Sequence, residues 1–345
     1  MWKTIGQDNI TGILKNSIAA GNMAHAYILI GPQHIGKATF ALDIARYVNC
    51  TGKEPPCDNC QSCRRINSGK HVDINMLSLE SPLVPLDNGR ARKEISIKDI
   101  EELQKRASLS AYEGKYRIFI IDGVEDLSEE AANRLLKTLE EPPSNVIFLM
   151  LTADEKRVLT TILSRCRRIE MKPIPAAIIE HYLIETRGAE ANKARLAARL
   201  ARGCPGWAIT LLDNEKQMQL RTDILNKLQY LLSAGYEQRF VYIEHLGTDR
   251  KKSTDMLDTW LTWWRDVLLT KCCCRESITN IDFSGDIEQA VGILSIAEIK
   301  QSIDRIDQAK TQIDMNANIR LVLEVLMLDI PRIKLQMTGV PVAAG

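Results

Sequence analysis

The sequence has almost no net charge. Its 45 Lys and Arg stand against 44 Asp and Glu, leaving +1 over 345 residues. This balance excludes a global positive field, so any nucleic-acid contact must come from a local patch. No apolar run approaches the ~18 residues that a membrane span requires. The first residues, Met1 to Asp8, lack the apolar stretch of a secretory signal. The expected compartment is therefore the cytoplasm, without membrane attachment. No internal repeat is evident, which argues against solenoid and array architectures. What remains is an ordinary globular composition, 45% hydrophobic and 26% charged. The length allows two or three domains with proper cores.

Two further absences fall inside a motif. Gly31-Pro32-Gln33-His34-Ile35-Gly36-Lys37-Ala38 matches the phosphate-cradling pattern G-x-x-x-x-G-K-[ST]. Ala38, however, stands where a magnesium-binding hydroxyl belongs. Thr39 is the nearest hydroxyl, but one residue along a helix is a rotation of ~100°. Backbone amides in such a loop point at phosphate oxygens, and Lys37 would add charge near the β- and γ-phosphates. The loop thus leaves room for ATP or ADP, with Mg²⁺ in doubt. Downstream, Tyr116 to Asp122 reads as a buried strand ending in an acid. Asp122 has two readings, a metal ligand acting through water or a capping carboxylate. Gly123 follows it, where an ATPase would usually place a catalytic Glu. Glu125 and Asp126 are close in sequence, but nothing in the loop aims them at a γ-phosphate.

Nine cysteines require an explanation, and four of them fall close together: Cys50, Cys57, Cys60 and Cys63. In a reducing compartment such a cluster indicates metal rather than disulfides. Four thiolates at short spacing suit a closed tetrahedral Zn²⁺ site with a structural role. An iron–sulfur cluster is the rival reading, although the pattern lacks a following Cys-Pro. Cys166, Cys204 and the run Cys272 to Cys274 lack ligand spacing.

Hydrophobic periodicity organises the rest. Helices are expected over Ile10–Ala20, Lys37–Asn49 and Ser96–Ser108, and from Ser128 to Leu139 ahead of Pro142-Pro143. Strands are expected at Ala26–Ile30, Asp73–Leu79, Arg117–Asp122 and Asn145–Thr152, with a loop over 81–94. This alternation argues for an α/β fold with a parallel sheet between helices. Beyond Pro173 and Pro175 the spacing is helical throughout. Ile178–Arg187 and Ala191–Ala201 form a small unit closed by Gly203-Cys204-Pro205-Gly206. From about Lys216 to Lys334 the chain is helical again, with breaks near Gly247, Gly285 and Gly292. The expected divisions are 1–172, with a metal module at about 50–70, then 173–215, then 216–345.

Two further features have competing readings. Arg165, in Leu163-Ser164-Arg165-Cys166, is either a surface ion-pair residue or an arginine finger that stabilises a transferring phosphoryl group in a neighbour's site. Trp260, Trp263 and Trp264 recur at helical spacing with Leu257, Leu261, Val267 and Leu268. A buried helix face is preferred there over base stacking.

Taken together, these residues resemble the clamp-loader branch of the AAA+ proteins. The resemblance rests on His25-Ala26-Tyr27 before Gly31-Pro32, the four-cysteine insert, Ala132 to Pro143 with its Leu-Leu-Lys-x-Leu-Glu-Glu-Pro-Pro run, and Ser164-Arg165-Cys166. It extends to Asn318–Leu328. It implies a AAA+ P-loop domain with a four-cysteine zinc insert, a small helical lid domain and an all-α collar through which subunits assemble. It further implies ATP-active loader subunits, a clamp-opening delta subunit, a sliding clamp and primed-template DNA as partners. Arg165 would be the finger, and Cys50, Cys57, Cys60 and Cys63 the zinc ligands. Ala38, Gly123 and Trp207 (which stands where an active subunit would have a lid arginine) all depart from the ATP-active pattern and favour a non-hydrolysing member. Cys50 and Cys57 are also closer together than is usual in the family.

Overall fold

The computed structural model describes residues 1–84 and 92–333. The middle of the loop expected at 81–94, and the chain from Lys334, lie outside the described residues. The chain begins with α1 (Asp8–Ala19), β1 (Ala26–Ile30), α2 (Lys37–Asn49), α3 (Gln61–Asn67), β2 (Ile74–Leu77), α4 (Ile97–Ala107) and β3 (Arg117–Asp122). It continues with α5 (Glu129–Glu140), β4 (Val146–Thr152), α6 (Thr160–Leu163) and β5 (Arg167–Glu170). The helices that follow are α7 (Ala176–Arg187), α8 (Ala191–Leu200), α9 (Pro205–Asp213) and α10 (Glu215–Ser233). The last are α11 (Tyr236–Leu246), α12 (Arg250–Lys271), α13 (Ser284–Ile293), α14 (Ile296–Asp314) and α15 (Ile319–Asp329). The described residues divide into two compact units: Met1–Tyr182 with Gly203–Trp207, and Leu183–Arg202 with the chain from Ala208 onward.

In the first unit five strands form one sheet in the order β2-β3-β4-β1-β5. Every pairing is parallel. Successive side chains leave opposite faces, so each central strand must be apolar on both sides. Ile28, Phe119, Ile121, Phe148 and Met150 face a core shared with α4 and α5 residues such as Leu103 and Leu135. Tyr27, Leu29, Ile118, Ile120, Ile147 and Leu149 face the other core, with Leu14 of α1 and Phe40 and Ile44 of α2. Phe119 and Phe148 are directly paired in register, and their rings stack with centroids 5.6 Å apart.

The expected parallel sheet between helices, followed by helical regions, is the observed architecture. Three elements were not expected from the sequence, the one-turn α6 among them. Strand β5, Arg-Arg-Ile-Glu, buries only Ile169. It lies at the sheet edge beside β1, so one apolar residue suffices and no period announces it. Helix α3 lies inside the cysteine insert, where the metal pattern masks its short amphipathic run. Among the helical breaks, Gly247 does end α11, whereas Gly285 and Gly292 lie within α13.

The second unit is built around three tryptophans. Trp260, Trp263 and Trp264 of α12 have no exposed surface and pack with residues of α10, α13, α14 and α15. Their burial supports the core reading over base stacking. Arg239 is also fully buried, and donates to the carbonyls of Leu231 (2.9 Å), Met327 (2.7 Å), Ile330 (2.8 Å) and Pro331 (3.1 Å). One guanidinium thus satisfies carbonyls at the ends of α10 and α15, which have no partner within their own helices. No helix of the described residues is long and apolar enough to cross a membrane.

Asp73, just before β2, organises the β2 edge of the sheet. Its carboxylate accepts the amides of Tyr112, Glu113 and Gly114, each at 2.8 Å, and the Arg117 guanidinium at 3.1 Å. Burial opposes ionisation of Asp73, but the three amides and Arg117 outweigh it and hold the carboxyl below its ordinary value. A carboxyl depressed in the folded state stabilises the fold above its unfolded pKa of ~3.9, and the contribution disappears as pH falls through the lower folded value. Asp73→Asn is therefore expected to lose about 3 kcal/mol in urea unfolding at neutral pH. The gap between variant and wild type should narrow below pH ~4. A gap that stays constant on acidification would contradict this assignment.

Candidate functional site

Parallel strands bring all their carboxyl-terminal ends to one side of the sheet, where loops can converge on a ligand. Ile30 at the end of β1 is in register with Thr152 of β4 and Glu170 of β5, and Asp122 of β3 is in register with Leu151. Gly31 leaves β1 with its amide on the Thr152 carbonyl at 3.2 Å. A side chain at Gly31 would meet the Met171 carbonyl oxygen at 2.6 Å, so only glycine fits between these strand ends. Gly36 then opens α2 with φ 103°, a left-handed conformation that favours glycine.

Lys37 is buried, and its Nζ donates to the carbonyls of Gly31 (2.7 Å) and Pro32 (2.9 Å) of its own loop. Burial pulls its pKa down, while the carboxylates of Asp122 and Glu125 act in the opposite direction. Asp122 is pushed up by burial, with Lys37 opposing. The structure thus brings together Gly31, Gly36, Lys37 and Asp122. Ala38 packs against the apolar core on the α2 side of the sheet, and Thr39 is exposed. Gly123 has φ 83°, and a Cβ there would lie 2.7 Å from Asp126 Oδ2. Glu125 Oε1 accepts the Ala153 amide at 2.9 Å.

A contact unforeseen in the sequence closes over this loop. The Gly206 amide donates to the His34 carbonyl at 2.9 Å, and Trp207 packs on the His34 ring with centroids 5.3 Å apart. Trp207 is singled out by the sequence, but its partner lies far away along the chain, beyond the reach of any local pattern.

The four cysteines do converge. Their sulfurs all lie within 4.8 Å of one another, with Cys50 and Cys60 Sγ 4.0 Å apart. A Zn–S bond of ~2.3 Å implies S···S separations of ~3.8 Å in a tetrahedron. Sulfurs this close converge on a single ion, whereas an iron–sulfur cube would interpose several atoms between its thiolates. The groups around the sulfurs fit as well. Cys50 Sγ accepts the amides of Gly52 (3.3 Å) and Cys57 (3.4 Å), Cys57 Sγ that of Cys60 (3.3 Å), and Cys60 Sγ that of Cys63 (3.4 Å). Such donors stabilise thiolates. Burial opposes ionisation of Cys60, yet the amide donors outweigh it and bring the thiol down to about 6, whereas burial pushes Cys63 up to about 12. A side chain at Gly52 would strike Cys57 Cβ and Sγ at 2.8 Å, so the shortened Cys50–Cys57 loop closes through glycine. The insert is tied to α2 by Arg46, fully buried, which pairs with both Asp43 of its own helix and Asp58 between the ligands. The cluster is compatible with a structural zinc site and leaves no ligand position open.

Arg165 lies at the end of α6, partly exposed. It pairs with Glu140 at the end of α5 and donates to the Thr161 carbonyl at 2.9 Å. The ion pair joins the Glu-Glu-Pro-Pro and Ser-Arg-Cys segments, a link invisible in either segment alone. Cys166 beside it is partly buried, its thiol pushed up to about 12 by burial and donating to the Ile162 carbonyl at 3.0 Å. It is packed rather than reactive.

Two outcomes follow. Purified without chelator, the chain should carry about one zinc, and Cys60→Ser should lose it; metal-free wild type in elemental analysis would refute the site. Gly123→Glu should lose about 1–2 kcal/mol in chemical unfolding, because a side chain is forced into left-handed backbone. That variant should gain no ATP turnover, and a gain in phosphate release would contradict the geometry.

Comparison with known proteins identifies the family. Residues 6–175 match the family model described as DNA polymerase III, delta subunit. Residues 215–331 match the model of the C-terminal part of the same subunit. The DNA polymerase III subunit delta' of Bacillus subtilis is 28% identical over 336 residues, covering 95% of this chain and 97% of that protein. The tau subunit of Escherichia coli is 34% identical over 216 residues, which are 61% of this chain but only 32% of tau. Among solved structures, a gamma subunit-related protein of Thermotoga maritima aligns over 92% of this chain and 99% of its own, at 16% identity and a TM-score of 0.47. The two family matches together span the α/β unit and the helical region, and the delta' relative spans both: the chain belongs to the clamp-loader family of DNA polymerase III, as a delta' subunit.

Proposed function

We propose that this chain is the non-hydrolysing member of its clamp loader and lends Arg165 to the ATP site of a neighbouring subunit while a sliding clamp is loaded on primed DNA. The observation that carries the reading is a contrast within one domain. The phosphate loop, Lys37 and Asp122 are gathered at the strand ends, yet position 38 offers no hydroxyl and Gly123 occupies backbone that a glutamate enters only with strain. ATP or ADP in the loop would meet the loop amides and Lys37, but no Mg²⁺ ligand at Ala38. Lys37 would first have to leave the Gly31 and Pro32 carbonyls.

Arg165 suits delivery in trans. Its pair with Glu140 is partly solvated, and pairs of this kind contribute only ~0–1 kcal/mol. The guanidinium is therefore held in position but easily surrendered to a phosphate, a stronger bidentate partner. Within the assembly the partners would be the ATP-active loader subunits, the delta subunit, the clamp and the primed template, all in the cytoplasm. The three-part division 1–172, 173–215 and 216–345 belongs to the same reading, with the last part as the collar through which subunits join. Zinc would act only to hold the insert against α2.

In the assembled loader, Arg165→Ala is expected to lower DNA- and clamp-stimulated ATP turnover by the share of the one site it serves, where a finger is worth on the order of a thousandfold. Arg165→Lys should not restore that share, since it lacks the planar fork. Unchanged turnover with Arg165→Ala would remove the finger and leave a purely structural AAA+ scaffold.

A further inference from the structure

Strand β2 ends the sheet, with no strand beyond it among the described residues. Around this edge three apolar side chains lie in solvent: Val72 (51% exposed), Leu109 (61%) and Tyr112 (81%). Scattered singly, such residues need no explanation, but grouped on one rigid platform they mark a contact surface. The platform is rigid because the Asp73 carboxylate holds the amides of residues 112–114. In addition, the Val72 amide donates to Glu113 Oε1 at 3.1 Å, and Arg106 donates to Asn75 Oδ1 at 3.2 Å. The strand edge, the end of α4 and the loop carrying Tyr112 are thus bonded into one surface.

The charge on this surface is predominantly positive. Glu113 is engaged by Arg65 at 2.7 Å and Glu102 by Arg106 at 2.9 Å, while Glu101 of α4 makes no ion pair among the described residues. Lys70, Lys105 and Lys115 are exposed and make no ion pair among the described residues. The rim is therefore basic around an apolar centre, on a chain whose total charge is near zero.

We propose that the β2 edge docks an extended acidic peptide segment of a partner protein, one carrying apolar side chains between its carboxylates. An extended segment supplies backbone partners to an open strand edge, and alternate side chains give the specificity. Its carboxylates meet Lys70, Lys105 and Lys115, and its apolar side chains cover Leu109 and Tyr112. Single-stranded nucleic acid fits less well, because such surfaces stack successive bases on several aromatic rings. Here Tyr112 is the one widely exposed ring beside two aliphatic side chains, Val72 and Leu109. Asp73 thereby acquires a role beyond stability, since it fixes the loop that carries Tyr112. The surface is independent of Arg165 and of the phosphate loop.

Fluorescence anisotropy on the full chain tests this directly. The probes are a short fluorescein-labelled peptide alternating Asp and Glu with Phe and Ile, the same peptide with Lys in place of the acids, and a labelled oligo-dT. The acidic peptide should bind, more weakly as salt rises, and Tyr112→Ser and Lys115→Glu should each weaken it about tenfold. Both side chains are exposed, so both variants should keep the wild-type unfolding transition. Failure of the acidic peptide to bind, equal binding of the lysine peptide, or insensitivity to both substitutions would overturn the proposal. Tighter binding of oligo-dT that depends on Tyr112 would also overturn it, in favour of a nucleic-acid surface.

Discussion

The register of β1 between β4 and β5 is the constraint from which the site follows. It sets Ile30 against Thr152 and Glu170, so the chain leaving β1 must turn in the narrow space between two strand ends. The Met171 carbonyl beside Gly31 excludes any side chain at the turn. The turn delivers the next residues to the start of α2, and β3 delivers Asp122 to the same side. The glycine turn at the strand ends is thus a consequence of sheet order. On the proposed reading, this is why the chain retains the architecture without the hydrolytic groups.

What occupies the loop has a physical logic of its own. A buried ammonium needs compensation, and Lys37 finds it in the Gly31 and Pro32 carbonyls. Ala38 joins the apolar side of α2, so the absent hydroxyl contributes to packing instead. Gly123 permits the left-handed turn after β3 and the closure of Asp126 beneath it. The departures from the ATPase pattern at positions 38 and 123 are therefore integrated into the fold. The cysteine centre follows the same economy. Arg46, Asp43 and Asp58 bind the insert to α2, while four convergent sulfurs close it on itself.

Much of this was legible in the sequence because the relevant signals are local. The central strands declare themselves by continuous apolar runs, the cysteine centre by spacing, and the tryptophan face of α12 by its period. What was not legible depends on partners distant in the chain or on edges. Strand β5 needs only Ile169 to belong to the sheet, so its arginines read as surface. Glu140 and Arg165 each stand out in their own segments, but their pairing exists only because α5 and α6 end side by side. The Trp207 contact with His34, and the cradle of amides around Asp73, join segments that no pattern connects. These non-local pairings surround the candidate sites, while the local signals describe the scaffold.

The central claim is that this domain keeps a nucleotide-type shape without turning nucleotide over. The most direct test is steady-state phosphate release by the purified chain alone, with ATP, Mg²⁺, clamp and primed DNA present. Turnover at the background of the no-protein control is the predicted result. Turnover by the isolated chain comparable to that of an ATP-active loader subunit would contradict the account.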